Sequence, residues 1–194
     1  MIRPLAVLVG VLALVAAASA GAQDAGAGQT GRVNVDAQIL LAFDKRVQDY
    51  VALHRKLEAT LPDLPKEATS AQIEKHQLAL TAMIVKARPR AKHGDIFANE
   101  TRALMRRLLS RALSGPDGAK LLATIWEDNP GPIRVQINGR YPDAAPRSTV
   151  PPQVLDMMPK LPDELEYRFI ARRLILLDAH AHLVLDYISD ALPK

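Results

Sequence analysis

The hydrophobic period of this 194-residue chain changes once, from that of helices to that of strands, and a proline-dense stretch separates the two. A chain so divided folds helices first and a sheet second, which limits the architectures open to it. In "VDAQILLAFDKRVQDYVALHRKLEATL", Leu40, Phe43, Val47, Tyr50, Val51, His54, Leu57 and Leu61 recur mostly at three- and four-residue steps. This spacing predicts a long amphipathic helix, with Asp36 as a candidate cap and Pro62 and Pro65 beyond its end. "EATSAQIEKHQLALTAMIVKAR" predicts a second helix. Its start is a capping box of Thr69 and Gln72, its inner face is Ile73, Leu80, Met83, Ile84 and Ala87, and Pro89 stops it. A third helix is expected from about Ile96 or Ala98 to Leu113, with Leu104, Leu108 and Ala112 inward. Ser114 to Asp117 then signals a fourth over "GAKLLATIWED", before Asn129-Pro-Gly-Pro132 breaks the chain.

Beyond Pro132, "IRVQI" alternates apolar and polar residues and reads as a strand. Six prolines between 142 and 162 describe an extended surface segment, with room for one helical turn at "QVLDMM". Three strand-like runs close the chain, "EYRFI", "RLILL" and "LVLDYI", with turns at Ala171-Arg172 and at Asp178 to His182. The expected fold class is α+β: an N-terminal region of three to four helices followed by a small antiparallel β-meander. A meander of this size is marginal alone, so it should lay an apolar face on the helices. Residues 34–194 are expected to form one domain, helical over 34–128 and Pro-rich then stranded over 132–194. Trp126, the only tryptophan, is expected to plug the junction of helices and sheet.

The N-terminus supplies the location. Arg3 precedes an apolar run from Leu5 to Ala17, and small residues follow at Ala18-Ser19-Ala20 and Ala20-Gly21-Ala22. Residues 1–22 therefore read as a secretory signal peptide, with residues 23–33 a Gly/Ala-rich flexible lead-in. The apolar run is shorter than the ~20 residues of a spanning helix. The expected location is periplasmic or secreted, with membrane attachment only through an uncleaved signal or a basic surface. The chain has no cysteine, so its core must hold it without disulfides.

Few side chains are spaced for chemistry. Asp178, His180 and His182 in "DAHAH" share one face if the backbone is extended, and imidazole with carboxylate suits Zn, Ni or Co. The plainer reading is a turn: Asp178 accepts turn amides and the imidazoles stand in water. Between Lys86 and Arg111, eight basic residues face two acidic ones. Of these, Arg102, Arg106, Arg107 and Arg111 could meet an anionic lipid or wall polymer. Nucleic acid is disfavoured by export and by the scarcity of stacking aromatics. Asp163, Glu164 and Glu166 form a carboxylate cluster that suits acid/base work or a solvated turn. There is no nucleophile elbow, no phosphate-binding glycine loop and no His-Glu-x-x-His.

The segments "RVQDYVALHRKLE", "ARPRAKHGDIF", "YPDAAPRSTVPPQVL" and "LPDELEYRFIARRLILLDAHAHLVLDYI" resemble a group of uncharacterised exported bacterial proteins of the Acidobacteria type. This resemblance implies a signal peptide and a helical first half, and no activity. The closing hairpin also resembles periplasmic nickel/cobalt homeostasis proteins, with Tyr167, Arg168 and Phe169 matching the opening strand and Leu183 to Ile188 the last. It departs from them in having Phe169 where Trp is usual, and "DAHAH" where a Thr-Gly type of turn is usual. The function expected is a non-catalytic exported or periplasmic protein that binds an envelope protein or polymer, without a cofactor. The alternative is a periplasmic metal-binding or metal-homeostasis protein that uses the hairpin.

Overall fold

The computed structural model describes residues 25–129, 131, 133–142 and 150–193, with side chains described from residue 34. The signal-peptide reading of residues 1–22 lies outside the described residues. The first helix, α1 (Ala25–Glu58), runs 34 residues and takes in the stretch from Ala25 to Val33 that composition assigns to a flexible lead-in. A helix already packed on the core can extend upstream at only about 1 kcal/mol per glycine. Asp36 therefore lies inside the helix and does not cap it; its carboxylate accepts from Arg107 instead.

The second helix, α2 (Ser70–Ala87), starts with the expected capping box: Thr69 accepts from the Gln72 amide, and the Gln72 side chain accepts from the Thr69 amide. It buries only Leu80 and Ile84, fewer than its pattern suggests, and Ile73 is exposed. Then come α3 (Asn99–Leu113), α4 (Gly118–Glu127) and the single turn α5 (Pro152–Leu155). Ile125 takes the inward position at the end of α4, which leaves Trp126, one residue round the helix, 41% exposed. The tryptophan is thus no plug between helices and sheet.

Three strands follow: β1 (Leu165–Ile170), β2 (Arg173–Asp178) and β3 (Leu183–Ile188), antiparallel in the order β1-β2-β3. The chain is α+β, helices first and a small meander last. "IRVQI" does not form a strand. The residues just after it run antiparallel along β3: Asn138 N–H donates to Val184, Val184 N–H to Gly139, and Tyr141 N–H to His182. This pairing covers the edge of β3 that the meander leaves open.

Both faces of the sheet are buried. Leu165, Tyr167, Phe169, Leu174, Leu176, Leu183 and Ile188 pack with the helices. Ile170, Ile175, Leu177 and Val184 pack on the other side against Ile133, Val135 and Tyr141. The strand-like alternation of "IRVQI" thus marks a covering segment, with alternate residues turned to the sheet. A bulge shifts the β2–β3 register between Leu176 and Leu177, so that Asp186 stands opposite Leu176 and faces the helical layer. There its buried carboxylate accepts from the amides of Gly94, Ile96 and Phe97 at 2.8–3.2 Å. Gly94 has φ +92, a backbone conformation that side chains rarely adopt, and an added Cβ would also push on the end of the Arg102 side chain at 2.7 Å. Phe97, held in this way, stacks on Phe43 of α1 at 5.6 Å. Asp186 thereby fixes the entry to α3.

Replacing Asp186 with Ala leaves those amides without an acceptor, at about 1–3 kcal/mol for each one orphaned. We expect Asp186→Ala to lower the urea midpoint by the equivalent of more than about 2 kcal/mol. A change below about 0.5 kcal/mol would show that water or another group replaces the carboxylate.

Candidate metal centre

Tyr50, His54 and Glu58 lie on α1 at four-residue steps and form one stripe, which runs from the core out to its rim. The stripe meets the turn between β2 and β3. Asp178, the last residue of β2, is fully buried and receives donors from three directions. The Tyr50 hydroxyl donates to Oδ2, His54 Nδ1 lies 2.6 Å from the same oxygen, and the Ala181 amide donates to Oδ1 at 2.7 Å. The last of these is the turn bond expected of Asp178. An unanswered carboxylate at this depth would cost several kcal/mol, so these donors are a condition of the fold. Burial, then Asp178, push the Tyr50 hydroxyl far above its ordinary range, so it remains a donor. The Arg88 guanidinium lies over the Tyr50 ring at 5.1 Å.

The other nitrogen of His54, Nε2, lies 3.1 Å from Glu58 Oε2. The second Glu58 oxygen is 3.1 Å from His180 Nδ1 and 3.7 Å from His76 Nε2. The His54 and His180 rings meet edge to face at 5.3 Å. One carboxylate thus stands among three imidazoles contributed by α1, α2 and the turn. A neutral imidazole has one N–H and one lone pair. With Nδ1–H donated to Asp178, Nε2 of His54 either carries a second proton facing Glu58 or presents its lone pair to a cation. Burial lowers the His54 pKa, but the bond to Asp178 and the charges of Asp178 and Glu58 outweigh it and raise the pKa overall.

One ligand atom from each of His54, Glu58 and His180 can be chosen so that all lie within 4.8 Å of one another. An ion bound at ~2.0–2.2 Å in tetrahedral geometry asks for ~3.3 Å between ligand atoms. Side-chain rotations of about an ångström would therefore close the set. The donors are nitrogen and oxygen, which suits Zn, Ni or Co. Asp178 would act from behind, fixing the tautomer and direction of His54 as outer carboxylates do for metal-bound histidines.

The trio Asp178, His180 and His182 does not assemble as one ligand set. These residues occupy the end of a strand and a turn, so strand alternation does not govern them. His182 has φ 54, and its buried ring lies on Tyr141 at 5.6 Å, against the far layer. It does not stand in water as the turn reading expects; His180 is half-exposed, nearer to that reading. His93 is elsewhere, with Nε2 2.9 Å from the Tyr187 carbonyl.

Most of the four basic candidates carry internal bonds. Arg102 donates to the Phe97 carbonyl and to Asn99, Arg106 to the Ser189 carbonyl, and Arg107 to Asp36; Arg111 is exposed. The carboxylate cluster divides too: Glu164 accepts from Arg55 of α1, and Glu166 from Arg168. The Arg55 hydrogen bond holds the Glu164 carboxyl below its usual range.

No protein-family model, no curated protein and no solved structure matches this chain. Among the described residues, no helix is long and apolar enough to cross a membrane.

Two outcomes follow from the buried carboxylates. Asp178→Ala leaves Tyr50 and His54 facing an empty acceptor position, and should cost about 3–5 kcal/mol in chemical denaturation; a loss under about 1 kcal/mol would contradict the network. The depressed pKa of Glu164 means that its contribution is fully present above the ordinary carboxyl pKa of ~4.3 and fades as pH falls through the folded value. Thermal scans between pH 7 and pH 3 should therefore show a shallower acid loss for Glu164→Gln than for the parent. Parallel curves would contradict the coupling to Arg55.

Proposed function

We propose that this protein binds one divalent metal ion of the Zn, Ni or Co type in the cell envelope, through His54, Glu58 and His180. The supporting observation is the buried His54. Asp178 holds it at Nδ1, and its Nε2 is aimed at a carboxylate that also meets His180. Glu58 favours positive charge at Nε2, and a metal ion is an alternative to the proton there, with Asp178 behind the ring as the outer carboxylate. The reading keeps the hairpin as a metal-binding element but moves its partners to α1. The signal-peptide reading of residues 1–22 supports a location in the periplasm or outside the cell, where the protein would buffer or sense metal, or present it to an envelope partner. We read the role as binding and not turnover. An envelope polymer at the basic face of α3 has less support, because Arg102, Arg106 and Arg107 already carry internal bonds.

Calorimetric titration of the metal-stripped protein with Zn, Ni and Co tests this. One ion per chain is expected. Glu58→Gln and His180→Ala, both at the rim, should weaken binding by more than about tenfold and keep the parent's circular dichroism. At ~100 times its Kd the ion should add ~2.7 kcal/mol of stability. Equal heats for parent and both variants, or no heat for any of the three metals, would overturn the proposal.

A further inference from the structure

We propose that His76 joins the ion as a fourth protein ligand, so that loading the metal pins the first half of α2 to α1 and to the β2–β3 turn. This rests on the three-ligand reading above and adds what occupancy does to the protein. Three ligands leave one corner of a tetrahedron. His76 is the next donor out: Nε2 lies 3.7 Å from Glu58 Oε1, the oxygen that His180 also meets, and its side chain is 13% exposed. At 3.7 Å this is too long for a hydrogen bond, and His76 stands outside the His54, Glu58 and His180 set whose ligand atoms lie within 4.8 Å of one another, so the start of α2 must move inward for it to reach a shared ion.

The first half of α2 is placed to respond. Residues 70–77 include no buried side chain; Ile73 is 40% exposed, and Leu78 just beyond is 47% exposed. What anchors α2 lies further along, in Leu80, Ile84 and the bond from the Thr81 hydroxyl to the Ala181 carbonyl. The capping box closes the helix start on itself and holds it to nothing else. A groove of about 410 Å³ opens where Arg55 and Glu58 of α1 and Leu61, Asp63 and Leu64 of the loop after it meet His76 of α2. A helix end with so little apolar burial opens at low free-energy cost. An ion that takes His76 would tie that end to two other elements at once, α1 and the β2–β3 turn. The site would then be closed by protein on all four sides, an arrangement suited to holding or sensing metal, with α2 as the part whose order reports occupancy.

Hydrogen–deuterium exchange of the full chain, stripped and Zn-loaded, tests this with calorimetry on the same samples. In the parent, Zn at ~100 times its Kd should slow exchange in residues 70–77 by up to ~100-fold. His76→Ala and the shape-conserving His76→Gln should still bind one ion, more weakly, without that added protection. The visible spectrum of bound Co should also differ between the parent and His76→Ala. Equal protection and identical Co spectra in parent and variants would overturn the proposal, with water left at the fourth corner and the three-ligand site standing. A parent that binds no ion would overturn both readings, and the calorimetry separates that outcome from the first.

Discussion

A carboxylate shut away from water has to be answered by the protein, and at Asp178 the answer comes from a helix more than 120 residues away in the chain. Tyr50 and His54 supply donors across the helix–sheet boundary, and the Ala181 amide supplies one from the turn. Removing any of them leaves a polar group stranded where burial is complete, so α1 has one seat on the sheet in which all are satisfied. Apolar packing alone, of Phe43, Val47 and Val51 on the strand leucines, would tolerate a slide or rotation of the helix; the Asp178 network does not. The same seat fixes where Glu58 emerges, one turn beyond His54, and hence where the turn's His180 meets it.

Asp186 does for α3 what Asp178 does for α1. Two buried aspartates, one at the end of β2 and one beside the bulge in β3, turn a generic meander into a specific platform. One gathers the backbone amides that lead into α3, and the other gathers the side chains of α1. They differ in what lies behind them. Backbone amides end the chain of donors at Asp186. At Asp178 the donor is an imidazole with a second nitrogen, and the chain of polar contacts continues through Glu58 to His180 and His76 at the surface. That continuation makes this corner a candidate for metal chemistry.

Much of this was legible in the residues. The helices, their order, the capping box at Thr69 and the three closing strands follow from period and punctuation, because each is decided locally. The turn bond of Asp178 was legible for the same reason. What escaped depended on contacts distant in sequence or on rotation by a single residue. Trp126 is exposed because Ile125 takes the inward position. "IRVQI" alternates because it covers a sheet face, although it joins no ladder. His54 falls by its spacing in an apolar stripe, and nothing near it in sequence announces Asp178. One signal was present all the same: Tyr50, His54 and Glu58 at four-residue steps place an imidazole and a carboxylate in mutual reach on one helix face. His182 misled because a two-residue spacing implies a common face only in a strand, and its left-handed backbone sends the ring to the far layer.

The metal site depends on Asp178 holding the Nδ1 proton of His54 and so directing Nε2 outward. Nitrogen-15 NMR of the imidazole rings reads that directly. It should show His54 Nδ1 protonated in the metal-stripped protein, with a proton sheltered from exchange, and only Nε2 changing its shift when Zn or Co is added. A His54 ring with Nδ1 bare and the proton on Nε2 would contradict it, for Asp178 would then orient nothing and the site built upon it would have no support.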